Sequence, residues 1–195
     1  MLNKLKIVLI LAVIVIINPA AIFAQTGKTE AFFKIFASGN YHMKAKITGG
    51  DGAGDMESYA KGDMMATTIT AQGQTTRMIS RDKKMYMIMD AMKMIIVTPA
   101  ANKSDAGGIY TAGMKLTSSG TAVFNGKSLP YEEYQDPNGN KAQYFLDGNN
   151  LAGIRDIEDG GATVDIIIIV LDQNVPANVF TVPTTGYQVQ EMPGF

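Results

Sequence analysis

The sequence predicts a mainly β (α+β) protein in which a curved antiparallel sheet forms a half-barrel, with an N-terminal helix and a loop or short helix in its mouth. From Tyr41 onward, short runs rich in Thr, Ile, Val, Met and Tyr alternate with turn residues about every 8–12 residues, as in an antiparallel meander. Residues 163–171 are apolar on both strand faces, so that strand must be covered on both sides. Because only one helix can be read from the sequence, the sheet must itself curl to enclose it.

The N-terminus has the features of a secretory signal peptide. Lys4 and Lys6 precede the apolar run Ile7–Ile17, whose 11 residues are fewer than the roughly 20 that a membrane-spanning helix needs. In the segment that follows, Ile22 and Ala24 fit the −3 and −1 positions of a cleavage site, which predicts cleavage before Gln25. We therefore expect residues 1–24 to be removed and the protein to be extracytoplasmic, either periplasmic or secreted, and not membrane-spanning after cleavage. The alternative is an uncleaved anchor from Ile7 to Ala24.

The remaining residues, 25–195, are predicted to form a single domain. They number 171 (195 minus 24), enough to bury a sizeable core. Without Lys4 and Lys6 the chain has 15 basic residues (17 minus 2) against 18 acidic ones, a net charge of −3. It has no basic run, so we expect no nucleic-acid partner. It has no cysteine, which excludes disulfides and a lipid-modified cysteine.

One helix is predicted at the start of this domain. Thr26 or Thr29 can cap its N-terminus. Phe32, Ile35 and Phe36 are spaced to share one helix face, with Phe33 beside them. Gly39-Asn40 then provides a left-handed end to the helix.

Eleven strands are predicted to follow the helix, and short turns should make consecutive strands neighbours. The segment Pro99–Gly113 fits neither the helical nor the strand period, so a loop or short lid is expected there. The predicted strands are residues 41–48, 56–61, 64–71, 74–80, 84–90, 92–98, 116–124, 129–135, 141–146, 151–158 and 163–171.

The sequence offers no recognisable catalytic centre or cofactor motif. His42 is the only histidine, and neither a cysteine nucleophile nor a nucleophile-elbow pattern is present. Glu132 and Glu133 are adjacent on a predicted strand, so they point to opposite faces and cannot act as a facing pair. We therefore expect a protein that is not an enzyme and that has no cofactor or dedicated metal site.

Methionine is concentrated in one part of the chain. Ten of the 13 methionines lie between Met43 and Met94. Met85, Met87 and Met89 alternate along one predicted strand face, and Met92 and Met94 repeat the pattern on the next strand. Three interpretations remain open: a flexible core filler, an adaptable apolar wall for a ligand, or a Cu(I) site built from thioethers.

Three short motifs, in order along the chain, resemble the LolA-like periplasmic lipoprotein-carrier superfamily. The segment Asp82–Ile88 is similar to the strand that follows a charged turn in that family, and Gly126–Glu132 looks like its central hairpin. Residues 175–187, with Phe180 followed by Val182-Pro183 and Gly186-Tyr187, resemble its usual ending. The resemblance implies a curved sheet whose cavity holds acyl chains or another apolar ligand, and a carrier role without catalysis.

The sequence and the resemblance together predict an exported carrier that binds a lipid or other apolar small molecule, with cell-envelope proteins as further candidate partners. The predicted cavity lining consists of aromatic residues on the helix and methionines on two strands: Phe32, Phe33, Phe36, Met85, Met87, Met89, Met92 and Met94. The alternative is a cell-envelope structural or interaction module whose core is filled and which has no cavity. Met-rich Cu(I) binding is a third possibility.

Overall fold

The computed structural model describes residues 27–49, 53–100, 113–157 and 163–192. The predicted signal peptide lies outside these ranges, as does most of the predicted lid between Pro99 and Gly113. In the described ranges no helix is long and apolar enough to cross a membrane.

One α-helix and twelve strands make up the described fold, and the predicted mainly β half-barrel with an N-terminal helix is confirmed. All eleven predicted strands are present, and a twelfth short strand was not predicted. The helix is α1 (Glu30–Ala37), and the strands are β1 (Asn40–Thr48), β2 (Gly54–Lys61), β3 (Met64–Ala71), β4 (Gln74–Arg81), β5 (Lys84–Met89), β6 (Met94–Pro99), β7 (Lys115–Phe124), β8 (Lys127–Gln135), β9 (Lys141–Asp147), β10 (Asn150–Ile157), β11 (Thr163–Asp172) and β12 (Gln188–Glu191).

Tight turns set the register of the hairpins. In the β3–β4 turn, Gln72 and Gly73 have φ values of 52° and 74°. Two successive left-handed residues are the signature of a type I′ turn, whose twist matches that of the flanking strands. Asn125 and Gly126 adopt the same conformation between β7 and β8. Because each turn fixes which residues pair across its hairpin, it also fixes which side chains point to each face of the sheet.

The strands form one open, curved sheet in the order β12-β6-β5-β4-β3-β2-β1-β11-β10-β9-β8-β7. It consists of two antiparallel meanders, β1–β6 and β7–β11. The meanders join where β1 pairs with β11, and His42 lies opposite Asp172 at that seam. One pairing departs from the predicted antiparallel pattern, because β12 lies parallel to β6.

The helix packs on one face of the sheet, which we call the helix-side face. Phe33 and Phe36 of α1 are 2% and 0% exposed, and they share a core with side chains from both meanders. Members of this core include Tyr41, Met43 and Ile166. The helix therefore covers the centre of the sheet, around the seam between the meanders.

The opposite face of the first meander is covered by the chain that follows β11. Phe180, in a short 3-10 turn (Ala177–Phe180), is 2% exposed and packs with Ile79 and Ile88. Half-buried apolar residues before and after Phe180 join this second core, and the chain then adds β12 beside β6. Each face of the sheet is thus covered in part, and by a different segment, while Ile169 of β11 remains 57% exposed although the sequence predicted that this strand is covered on both sides.

On the opposite face of the second meander, a smaller core forms around Phe124 and Phe145, whose rings stack at 4.4 Å. Arg155 lies over both rings and is bound to Asp165 at 2.7 Å.

Candidate apolar ligand site

The register of the first meander arranges its helix-side residues in rows across the six strands. Directly opposed residues of an antiparallel pair share one face, so each row can be followed from β1 to β6. The first row is Tyr41, Ala60, Met65, Ser80, Met85 and Thr98; the second is Met43, Ser58, Thr67, Met78, Met87 and Ile96; the third is Ala45, Met56, Ile69, Thr76, Met89 and Met94.

These rows contain no charged side chain. The charges of the six strands lie on the opposite face, as for Lys44, Glu57 and Arg77. Ten methionines lie between Met43 and Met94. Met64 points to the opposite face and Met92 lies in a turn, so eight (ten minus two) belong to the helix-side rows. This face is therefore apolar, uncharged and rich in flexible side chains.

Burial along the rows decreases from β1 towards β6. Met43 and Met56 are 0% and 1% exposed, and Met78 on β4 is 8% exposed. On β5 and β6, every helix-side residue is only half-buried. We call the apolar part of this half-buried surface the methionine wall: Met85, Met87, Met89, Met94 and Ile96. None of its members belongs to the packed cores of the described chain.

The helix phenylalanines lie in the packed core rather than against the methionine wall. The Phe33 ring makes T-shaped contacts with the rings of Tyr134 and Tyr144, with centroid distances of 4.9 and 5.0 Å. Phe36 makes the same kind of contact with Tyr41 at 5.4 Å. Phe32 is half-buried beside this core. The large aromatic residues of β1, β8 and β9 thus hold the helix over the seam, away from β5 and β6.

Met92 is not part of the wall, which corrects the prediction that a strand starts at residue 92. It lies in a short 3-10 turn (Asp90–Met92) and is 61% exposed. The turn ends at Lys93, whose φ of 50° reverses the chain before β6 begins at Met94. Met85, Met87, Met89 and Met94 do share one face, and whether they bind a ligand remains a prediction.

Glu132 positions the helix, a role that the sequence did not reveal. Its carboxylate accepts hydrogen bonds from the backbone N–H groups of Lys28 and Thr29, at 2.9 and 3.0 Å, and from the Tyr134 hydroxyl at 3.1 Å. Burial raises the pKa of Glu132, but the hydrogen bonds from Thr29, Lys28 and Tyr134 outweigh it and hold the pKa below its ordinary value. The carboxylate therefore ties the helix N-terminus to β8 across more than a hundred residues of sequence.

The buried hydroxyl groups of the helix-side rows differ in whether they have a hydrogen-bond partner. In the second row, the hydroxyls of Ser58 and Thr67 bond to each other at 2.9 Å. In the first row, Tyr41 is 1% exposed, and its hydroxyl has no hydrogen-bond partner in the described part of the chain. Burial raises the pKa of the Tyr41 phenol, so the group remains protonated and can donate.

His42 lies on the opposite face and is held by its neighbours. Its Nε2 is 3.0 Å from Glu57 Oε1, its Nδ1 is 3.5 Å from Asp172 Oδ1, and its ring stacks on Tyr59 at 4.4 Å. These contacts link β1 to β2 and β11 and present no nucleophile. Among the described residues, no group of three or more His, Asp or Glu side chains is arranged to hold a metal ion.

Comparisons with known proteins give similarity at the level of the fold. No protein-family profile and no curated protein sequence matches the chain. A solved structure of an uncharacterised conserved protein from Thermus thermophilus has a TM-score of 0.51 at 8% identity, over 79% of this chain and 91% of that one. A LolA superfamily protein from Nitrosomonas europaea has a TM-score of 0.39 at 11% identity, over 73% of this chain and 89% of that one. The likeness to the Thermus protein supports the fold described above.

Proposed function

We propose that this protein is an exported, non-catalytic carrier that binds a lipid or other apolar molecule against the methionine wall. The proposal rests on the uneven burial of the uncharged helix-side face of β1–β6. The helix packs over β1 and the seam, while the methionines of β5 and β6 on that same face are left half-buried. A surface of this kind is suited to an apolar ligand whose shape varies.

The energetics of such binding need no polar recognition site. Transfer of a ligand chain from water to an apolar surface contributes about 0.8 kcal/mol per buried CH₂ group. Thioether side chains have several rotatable bonds, so they can follow ligands of different shape. Charged residues on the helix-side face would oppose this binding, because burying an unpaired charge is unfavourable. The absence of charge from the described helix-side rows of β1–β6 thus agrees with an apolar ligand.

Export is supported by the first 24 residues, in which two lysines precede an apolar run and a segment whose Ile22 and Ala24 fit a cleavage site. The order of the three motifs that resemble the LolA-like superfamily supports a carrier role within that setting. We infer that the mature protein acts outside the cytoplasm.

The test compares two methionines that differ in position but receive the same substitution. Purified protein is titrated with the fluorescent apolar probe N-phenyl-1-naphthylamine, and co-purified lipid is sought by native mass spectrometry. Met87→Gln places an amide in the middle of the wall and should weaken probe binding about tenfold, because a buried amide without a partner costs about 1–3 kcal/mol. Met92→Gln changes an exposed turn residue and should leave binding unchanged.

Equal affinities for the two variants would place the probe elsewhere on the protein and contradict the proposed site. If the parent binds neither probe nor lipid, the alternative of a filled cell-envelope interaction module is favoured instead.

A further inference from the structure

Two buried side-chain oxygens of the described chain lack a hydrogen-bond partner, Thr29 Oγ1 beside the helix and the Tyr41 hydroxyl, and the Tyr41 hydroxyl is the one that lies on the sheet. It is a buried donor without a described partner, and such a group lowers stability because it has lost its hydrogen bonds to water. The Ser58–Thr67 pair shows that the same face can satisfy buried hydroxyls by pairing them. The Tyr41 donor is therefore available to a partner that the described chain does not supply.

The position of Tyr41 relates it to the methionine wall. It begins the row that continues through Ala60, Met65 and Ser80 to Met85 on β5. Four strand spacings of about 4.8 Å separate β1 from β5, roughly 19 Å in all. This is comparable with the ~15 Å that acyl chains of one bilayer leaflet span, half of the ~30 Å hydrocarbon thickness.

Side chains between the two ends of this row would permit a ligand to extend along it. Ala60 is the smallest apolar side chain of the row and stands directly beside Tyr41. Met65 is half-buried and flexible, so it is the side chain that a ligand would displace. No charge lies on the row, so a carboxylate would lose its hydration there without gaining a cation.

We propose that the Tyr41 hydroxyl donates a hydrogen bond to a neutral oxygen acceptor of the bound apolar molecule, such as an ester carbonyl. This inference rests on the proposed carrier function and specifies its ligand class: a hydrocarbon chain that bears an uncharged acceptor. The chain would lie across the first row, from the methionine wall to β1, with its acceptor beside Tyr41.

The experiment removes the hydroxyl and measures stability and binding separately. Tyr41→Phe should not lower the midpoint of urea unfolding of the unliganded protein, because the deleted hydroxyl has no partner in the described chain. Binding of methyl laurate, measured by displacement of N-phenyl-1-naphthylamine, should weaken about tenfold, as expected for loss of one hydrogen bond. Binding of pentadecane, which matches methyl laurate in heavy-atom count but has no acceptor, should be unchanged.

Tyr134→Phe is the matched control, because it makes the same change at a buried tyrosine whose hydroxyl is bonded to Glu132. This variant should lower the unfolding midpoint and leave the ratio of methyl laurate to pentadecane affinity unchanged.

Two results would overturn the inference while leaving the carrier function intact. One is methyl laurate binding to Tyr41→Phe with the affinity of the parent. The other is a fall in the Tyr41→Phe midpoint as large as that of Tyr134→Phe, which would show that the hydroxyl already has a structural partner. If the parent protein binds neither methyl laurate nor pentadecane, both the carrier function and the role of Tyr41 are refuted.

Discussion

Replacement of Glu132 by glutamine tests whether this carboxylate holds the helix on the sheet. The substitution preserves size but leaves one carbonyl oxygen where two carboxylate oxygens accept three hydrogen bonds, from Lys28, Thr29 and Tyr134. At least one charge-assisted bond is lost, and such bonds are worth about 1.5–3 kcal/mol. Glu132 is only partly buried, so we expect the lower end of this range, about 1.5 kcal/mol.

The assay is thermal unfolding of the mature protein at neutral pH, followed by circular dichroism. For a chain of this size, about 1.5 kcal/mol corresponds to a decrease in Tm of about 3–6 °C. Asp147→Asn is the control, because Asp147 forms an exposed ion pair with Lys127 at 3.1 Å that should contribute little. Its Tm should lie within about 2 °C of the parent value.

The pH dependence provides a second measurement of the same interaction. The pKa of Glu132 is lower in the folded than in the unfolded protein, so its contribution is complete above the unfolded pKa of about 4.3. That contribution is lost as the pH falls through the folded pKa. The difference in stability between parent and Glu132→Gln should therefore shrink below about pH 4.3. Equal Tm values for Glu132→Gln and Asp147→Asn, or a difference that persists at low pH, would refute the reasoning.

Three further predictions concern the methionines, the C-terminal segment and processing. Replacing Met85, Met87 and Met89 together by leucine should preserve folding, at less than about 1.5 kcal/mol per site, and the parent should show no tight Cu(I) site in a chelator competition titration. A sub-micromolar site that disappears in the variant would favour the metal interpretation. Phe180→Ala should lower the free energy of unfolding in urea by about 3 kcal/mol or more, since the ring is buried between the C-terminal segment and the sheet; a loss below about 1 kcal/mol would contradict that packing. N-terminal sequencing of exported protein should begin at Gln25 or within a few residues of it, and full-length protein in membranes would contradict cleavage.

Much of the fold could be predicted because its signals are local. A strand followed by a type I′ turn and another strand is encoded in fewer than twenty residues, as in the β3–β4 hairpin around Gln72-Gly73. The helix was equally readable, since its apolar face and the left-handed Gly39 at its end are both sequence features.

The remaining features depend on contacts between distant segments. The chain around Phe180 has no strand or helix period, so nothing in the sequence indicates that it covers the opposite face of β3–β6 or that β12 pairs in parallel with β6. Glu132 looked like any strand glutamate, and only the pairing of β8 with β9 places it under the helix N-terminus.

The candidate site was predictable in part. The alternation of Met85, Met87 and Met89 correctly indicated one shared face. The sequence could not show which methionines are buried. The same residue type fills the packed core at Met43 and is half-buried in the methionine wall at Met87. The strand predicted from residue 92 begins instead at Met94, because the period-two pattern cannot distinguish a strand from the turn that precedes it.

The seam between β1 and β11 has a consequence for the order in which the protein folds. His42 and Asp172 are paired although they are 130 residues apart (172 minus 42), whereas every other antiparallel pair of the described sheet joins strands that are consecutive in sequence. Hairpins can close within about 1–10 μs, but the seam joins the strands of the sheet that are farthest apart in sequence, so it should form later. During N-to-C synthesis, β1 is left with β2 as its one neighbour until residue 163 and beyond have emerged. Until then, β1 is an edge strand of the first meander, with unpaired backbone groups and one apolar face. Such an edge can pair with the wrong strand or with another chain. Kinetic experiments should accordingly find the last and slowest phase of refolding in the formation of the seam rather than of any hairpin.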